Sequence, residues 1–149
     1  EPVTMSSDDA AGILLRLSNG ARATISISQI SSGRKNSINW EISGPDGSLA
    51  FDSENPEQLW IGHRGRANEV LHKDPGMLSP DAARTAFYPG GHVEGFSETF
   101  RGLFERVYED INNGTQSNSY PTFADGVKSL EITDAIAQSS KNSAWVKIA

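Results

Sequence analysis

Hydrophobic and polar residues alternate through the first half of the chain, a spacing typical of β-strands. Two such segments, GILLRLS and ARATISISQI, flank Asn19-Gly20, a pair that favours a tight hairpin turn. SINWEIS alternates in the same way, and Gly44-Pro45-Asp46-Gly47 forms the next turn before SLAFD. Shorter strand candidates follow at QLWIG and EVLHK. Six short strands at such close spacing predict an antiparallel meander, because parallel pairing needs longer connections.

The alternation gives the predicted sheet one apolar and one polar face. Along the second and third strands, the polar face carries Thr24, Ser26, Ser28, Asn39, Glu41 and Ser43. Two interpretations of this face stay open. One-sided antiparallel sheets often stand in water, so the face is either solvated or packed against another subunit.

The second half of the chain predicts two long helices. Apolar residues recur every three or four positions from Phe96 to Ile111, and Asn113-Gly114 ends that run. Thr122 can cap the second helix, and Asp125 completes a capping box. Its predicted buried side comprises Val127, Leu130, Ile132, Ala135 and Ile136.

The last apolar segment, AWVKI, predicts a short closing strand. Helices that follow a run of antiparallel strands are typical of an α+β domain. We therefore expect an α+β fold with an open-faced, mainly antiparallel sheet of about six to seven strands. The two long helices are expected to pack on one face of that sheet.

A proline- and glycine-rich segment, residues 74–91, separates the two halves and predicts a long loop with one helical turn at PDAART. It leads into YPGGHVEGF, where two interpretations compete. In the first, His92 is a polar loop residue that orders the start of the helix, and Glu94 is a first-turn carboxylate favoured by the helix dipole. In the second, the Pro-Gly-Gly loop presents His92 to a pocket, where its ring can hydrogen-bond a hydroxyl-rich ligand. Arg34, in SSGRKN, is likewise either part of an exposed turn or on the rim of a substrate site.

Composition excludes several classes of protein. The chain has 149 residues, the size of one domain, and its net charge of −6 argues against a nucleic-acid partner. Its apolar runs are too short to cross a bilayer, so no membrane partner is expected. It contains no cysteine, which excludes disulfides and thiolate chemistry and favours a cytoplasmic location. Its three histidines do not stand at zinc-ligand spacing, and a G-x-G-x-x-G fingerprint is absent, so neither a metal site nor a cofactor-binding residue is expected.

Three stretches together resemble one family, the C-terminal domain of the Gfo/Idh/MocA oxidoreductases, named after glucose–fructose oxidoreductase, inositol dehydrogenase and a rhizopine catabolism protein. They are SSDDAAGILLRLSNGARATISISQISSGRKNSINWEISGPDGSLAF, YPGGHVEGFSETFRGLFERVY and YPTFADGVKSLEITDAIAQSSKNSAWVKI. The stretches appear in the family's order and spacing over roughly residues 6–148.

The resemblance implies an NAD(P)-dependent oxidoreductase acting on a sugar, an inositol or a similar polyol. In this family an N-terminal Rossmann domain binds NAD or NADP, and the C-terminal domain shapes the substrate pocket. The open sheet face commonly forms the contact of a homodimer or homotetramer. His92 matches the histidine of the family's GH-x-E-G stretch, which suggests a place near the substrate, and Arg34 is a second candidate by the same correspondence.

The resemblance also implies what this chain lacks. The family's Glu-Lys-Pro and Asp-x-x-x-His segments, which supply its proton-transfer residues, are absent from the sequence. No catalytic residue is therefore assigned, and residues 1–149 are expected to be a C-terminal substrate-binding and oligomerisation domain without its Rossmann domain. This fragment alone is not expected to be active.

Two other hypotheses stay open. The chain begins with Glu1-Pro2, which fits a piece of a longer protein. A free-standing, non-catalytic interaction module could have kept the same fold. A small carbohydrate-binding protein that uses the His92 loop is the third hypothesis.

Overall fold

The computed structural model describes residues 3–148 and divides them into two compact units. One unit contains the residues up to Lys35 and those from Thr122 onward, and the other is Asn36–Pro121. Within residues 3–148 the structure has six strands and two long helices, and all strand pairs there are antiparallel. The predicted α+β class is confirmed.

The first unit contains the hairpin predicted at Asn19-Gly20. Strand β1 (Ala10–Arg16) pairs with β2 (Arg22–Ser28), with Ile13 opposite Ile25. The Leu17 N–H donates to the Ala21 carbonyl at 3.0 Å, so the loop has three residues rather than two. Gly20 has a φ of +90°, which places the glycine where a left-handed backbone is needed.

Helix α3 (Phe123–Asn142) belongs to the same unit and begins with the predicted capping box. The Thr122 N–H donates to Asp125 Oδ2 at 2.8 Å, and the Asp125 N–H donates to Thr122 Oγ1 at 3.4 Å. The prediction of its buried side was wrong in part. Ala135 is buried and Ile136 half-buried, whereas Val127, Leu130 and Ile132 are exposed.

The closing strand predicted at AWVKI is absent, since residues 144–148 adopt no strand conformation. The Ala144 N–H bonds back to the Ser139 carbonyl, which terminates α3, and Ser143 has a left-handed φ of +50°. Trp145 then contacts the Arg16 guanidinium, 4.2 Å from the ring centroid, in a cation–π interaction. A β-prone sequence forms a strand only with a partner backbone, and a side-chain contact takes its place here.

The second unit contains a four-stranded meander of strands β3 (Asn39–Ser43), β4 (Gly47–Asp52), β5 (Gln58–His63) and β6 (Glu69–His72). Its strand order is sequential, as predicted. The six strands therefore form sheets of two and four strands, and the expectation of one sheet of six to seven strands was wrong. The hydrogen-bond ladder does not continue from β2 to β3, because residues 29–38 form turns instead.

Strand register separates the two faces of the four-stranded sheet. Glu41 lies opposite Ala50, Ala50 opposite Trp60, and Trp60 opposite Val70, so these four side chains form one row across one face. Asn39, Glu41 and Ser43 all belong to this face and are exposed, as are Thr24, Ser26 and Ser28 on β2. We call the four-stranded sheet's face that carries Glu41 and Trp60 the polar sheet face.

Three helical segments complete the second unit. A 3₁₀ turn (Pro75–Met77) and a short helix α1 (Pro80–Ala83) interrupt the predicted loop, the latter at PDAART. Helix α2 (Phe96–Asn113) ends at Gly114, which has a φ of +61°. Much of its apolar stripe is exposed: Phe96, Phe100, Phe104, Tyr108 and Ile111 are each at least 45% exposed.

The end of α2 is tied to the loop that follows it by Asp110, a buried carboxylate. Its oxygens accept hydrogen bonds from the Thr115 hydroxyl at 2.7 Å and from the Ser117 N–H at 2.8 Å. These donors, led by the Ser117 N–H, lower the pKa of Asp110 to about 2. Across residues 3–148, no helix is long and apolar enough to cross a membrane.

Candidate functional site

The candidate site is the loop between α1 and α2 that carries His92. A turn brings the His92 N–H to 3.3 Å from the Pro89 carbonyl. Gly91 has a φ of +83° at the third position of this turn, where a side chain would be strained. Gly90 lies close to the end of β6, since an added Cβ would stand 3.4 Å from the Lys73 carbonyl. Gly91 therefore allows the turn, and Gly90 allows the loop to approach the sheet closely.

His92 is fixed through its backbone and exposed through its side chain. Its N–H donates to Pro89, and its carbonyl accepts a 2.7 Å hydrogen bond from Lys73 Nζ. Its imidazole is exposed and makes no hydrogen bond to any residue within 3–148. A ring held this way can donate to or accept from a ligand hydroxyl without first breaking an internal bond.

Glu94 anchors the loop, a role that its sequence context did not predict. Its carboxylate accepts hydrogen bonds from the Phe87 N–H at 3.0 Å and from the Tyr88 N–H at 2.7 Å. It is not in the first turn of α2, which begins at Phe96. The first-turn position belongs to Glu98, whose carboxylate accepts the Gly95 N–H at 2.8 Å. The interpretation of Glu94 as a dipole-stabilising residue was therefore wrong.

Lys73 is the cation that pairs with Glu94, and sequence reasoning missed it. Its Nζ lies 2.6 Å from Glu94 Oε1 and 3.2 Å from Glu57 Oε2. The side chains of Lys73 and Glu94 are 13% and 9% exposed, so the pair is largely removed from solvent. The Glu57 carboxylate also accepts the Glu94 N–H at 2.8 Å, which closes a ring of contacts. We call Glu57, Lys73 and Glu94 the loop anchor.

The loop anchor favours its own charged state. Burial alone would raise the pKa of Glu94, but the Lys73 ammonium and the two backbone N–H groups outweigh burial, and that pKa lies below its usual value. Burial alone would lower the pKa of Lys73, but hydrogen bonds to Glu94 and Glu57 raise it. A lowered carboxyl pKa adds stability that is lost as pH falls, and a raised lysine pKa adds stability that is lost as pH rises. Both contributions are therefore present at neutral pH.

Arg34 is exposed in the first unit, in a turn where its N–H donates to the Ser31 carbonyl at 3.3 Å. Gly33, with a φ of +83°, precedes it. His92 belongs to the other unit. The substrate-binding role of each residue remains a prediction.

Apart from the loop, a concave region lies on the polar sheet face and has a volume of about 530 Å³. Trp60 and Val70 are among its apolar lining residues, and Glu41, Asp52 and Gln58 are among its polar ones. The six-membered ring of Trp60 lies close to Gly62, since a Cβ added at Gly62 would stand 2.5 Å from a ring carbon. Glycine at this position is therefore what lets the indole lie against the sheet.

The described residues give no group of three or more His, Cys, Asp or Glu side chains that could hold a metal ion. The expectation that this chain supplies no catalytic and no cofactor-binding residue stays a prediction.

Residues 2–148 match the model of a family described as an oxidoreductase family, C-terminal α/β domain, in the Gfo/Idh/MocA group. Levoglucosan dehydrogenase of Pseudarthrobacter phenanthrenivorans is 26% identical over 151 residues, which cover 95% of this chain and 36% of that protein. The family match confirms the resemblance drawn from the three sequence stretches.

Two solved structures share the fold. A Sinorhizobium meliloti oxidoreductase is 29% identical with a TM-score of 0.85, covering 94% of this chain and 41% of that one. An inositol dehydrogenase homologue of Azotobacter vinelandii, complexed with NADH and myo-inositol, is 25% identical with a TM-score of 0.80, covering 94% and 39%. The chain thus spans less than half the length of each of these relatives.

Proposed function

Because the chain belongs to the C-terminal α/β domain of the Gfo/Idh/MocA oxidoreductase family, we propose that it is the substrate-binding domain of an NAD(P)-dependent dehydrogenase. Its substrate class is a sugar, an inositol or a related polyol. The proposed cofactor, NAD or NADP, binds to a Rossmann domain of the full-length protein outside residues 1–149. This chain forms part of the substrate pocket and of the contact between subunits.

The exposed imidazole of His92 is the observation that carries this proposal. Its backbone is hydrogen-bonded on both sides while its ring is left to an outside partner. Polyols present hydroxyl groups that both donate and accept, which a neutral imidazole matches through its two nitrogens. The curated relative is named for its action on levoglucosan and a solved relative is complexed with myo-inositol, and both compounds are rich in hydroxyls. Arg34 is proposed as a second substrate residue, whose guanidinium can donate to such oxygens.

We also propose that the polar sheet face is the contact of a homodimer or homotetramer. Trp60 stands near the middle of that face, with Val70 beside it and carboxylate and amide side chains around them. An aromatic centre with a polar surround is the usual composition of a protein–protein contact.

The first test is genetic. The coding sequence upstream of the Glu1 codon should continue in frame for a strand, a G-x-G-x-x-G turn and a helix. A start codon directly before Glu1 would instead favour the alternative, a free-standing interaction or carbohydrate-binding module with this fold.

The second test is kinetic and uses the full-length protein with a panel of sugars and polyols. His92→Ala should raise KM at least about tenfold, because a ligand hydroxyl then loses its hydrogen-bond partner. Val93→Ala is the matched control, since Val93 is the neighbouring exposed loop residue. Equal KM values for His92→Ala and the unchanged protein would remove His92 from the substrate site.

A further inference from the structure

The loop anchor holds the backbone of His92, and Lys73 is the residue of the anchor that contacts it. The Lys73 ammonium donates hydrogen bonds to Glu94 Oε1 at 2.6 Å and to the His92 carbonyl at 2.7 Å, and its Nζ forms an ion pair with Glu57 Oε2 at 3.2 Å. One side chain therefore contacts His92 directly and also binds the carboxylate two residues after it.

The base of this arrangement is the rigid end of the four-stranded sheet. Gln58 pairs with His72 at the end of the β5–β6 ladder, and the next backbone bond, from the Lys73 N–H to the Glu57 carbonyl, is 2.8 Å long. Lys73 and Glu57 thus extend the sheet by one pair. Any displacement of the loop from the sheet breaks contacts to two residues whose backbones are fixed.

Glu94 closes the loop on itself. It binds the N–H groups of Phe87 and Tyr88 at the start of the loop, while its own N–H is bound by Glu57 at the end. The intervening turn, which contains His92, is therefore held at its start by the Glu94 carboxylate and at its end by the Glu57 carboxylate. Loss of the Lys73 charge leaves that carboxylate buried without its cation, which is costly in protein interiors.

We propose that Lys73 is a positioning residue, which holds the backbone of His92 so that the imidazole meets the substrate. This inference rests on the proposed substrate role of His92. It predicts that Lys73 affects substrate binding only through His92. The Lys73 ammonium contacts the backbone carbonyl of His92 and not its exposed imidazole.

The test compares four variants of the full-length protein: Lys73→Met, Lys73→Arg, His92→Ala and the Lys73→Met/His92→Ala double variant. Lys73→Met should raise KM about tenfold while kcat changes less than about twofold, since a misplaced ring weakens binding. The double variant should have the KM of His92→Ala alone, because two residues that act as a unit do not show additive effects. Lys73→Arg keeps the charge and should recover part of the affinity.

Arg84→Met is the control for loss of a cation in the same unit. Arg84 is 57% exposed and pairs with Glu109, away from the loop anchor, so its KM should equal that of the unchanged protein. Multiplicative effects of Lys73→Met and His92→Ala in the double variant would overturn the positioning role, and so would an unchanged KM for Lys73→Met. An unchanged KM for His92→Ala would instead overturn the proposed substrate role of the histidine.

Hydrogen exchange separates positioning from general stabilisation. Lys73→Met should speed exchange in the peptide of residues 86–95 and leave the middle of α2 unchanged. Faster exchange throughout the second unit would overturn the proposal. If Lys73→Met does not fold, Glu94→Gln is tested in the same way. It keeps the side-chain shape, removes the charge, and should raise KM together with exchange in this peptide.

Discussion

Trp60 offers the sharpest test of the proposed subunit contact. Its side chain is 37% exposed on the polar sheet face. With about 250 Å² for a whole tryptophan side chain, roughly 90 Å² stays available for burial against a partner. At about 25 cal/mol per Å², burial of that area contributes up to about 2.3 kcal/mol in each copy.

A two-fold contact uses the same patch on both subunits, so each dimer contains the residue twice. Trp60→Ala should therefore weaken the dimer by up to about 4–5 kcal/mol, or roughly three orders of magnitude in Kd. Trp60→Glu should weaken it further, because a carboxylate would be desolvated on a face that already carries Glu41 and Asp52.

The assay is analytical ultracentrifugation of the full-length protein across a range of concentrations. Ile42→Glu is the matched control, because Ile42 is 63% exposed on the same sheet but points to the opposite face. Circular dichroism would verify that each variant is folded. If Trp60→Glu leaves the oligomer unchanged and Ile42→Glu dissociates it, the polar sheet face is not the subunit contact. The contact would then be assigned to the opposite face of the sheet.

Three further predictions follow, two on stability and one on the position of a side chain. Asp110→Asn should make the loss of stability smaller as pH falls from about 4 through about 2, because the lowered pKa of the Asp110 carboxyl contributes stability that is lost over that range. Identical pH dependence of the melting temperature in the variant and the unchanged protein would contradict it. Thr122→Ala should cost about 1 kcal/mol in urea unfolding, since Asp125 loses its capping partner; Thr122→Ser, which keeps the hydroxyl, should cost much less, and equal losses would argue against the cap. Gly62→Ala should displace the Trp60 ring and shift its fluorescence, because the new Cβ would stand 2.5 Å from the indole; an unchanged spectrum would mean that the ring does not lie there.

The local features of the fold could be read from the sequence. Alternation identified β2 and β3, Asn19-Gly20 identified the first hairpin, and the spacing of Thr122 and Asp125 identified the start of α3. Each of these depends on residues close together in the chain. Short-range patterns report such features because turn and cap geometry involve only neighbouring residues.

Features that depend on long-range partners could not be predicted. Lys73 and Glu94 are separated by twenty residues in the sequence, and no local pattern marks them as a pair. The AWVKI segment is rich in apolar residues that favour strands, but whether it pairs depends on the presence of a free sheet edge. The same limit applies to the exposed apolar stripe of α2, because periodicity identifies an apolar face but not what covers it.

The proposed dehydrogenase activity is best tested by measuring hydride transfer by the full-length protein. NAD⁺ and NADP⁺ would each be supplied with a panel of sugars, inositols and other polyols, and the absorbance of the reduced nicotinamide would be followed. We expect that at least one polyol is oxidised. We also expect that His92→Ala raises the KM for that polyol and that Val93→Ala does not. A full-length protein that binds neither nucleotide and oxidises none of these compounds would contradict the account and leave a binding module of the same fold.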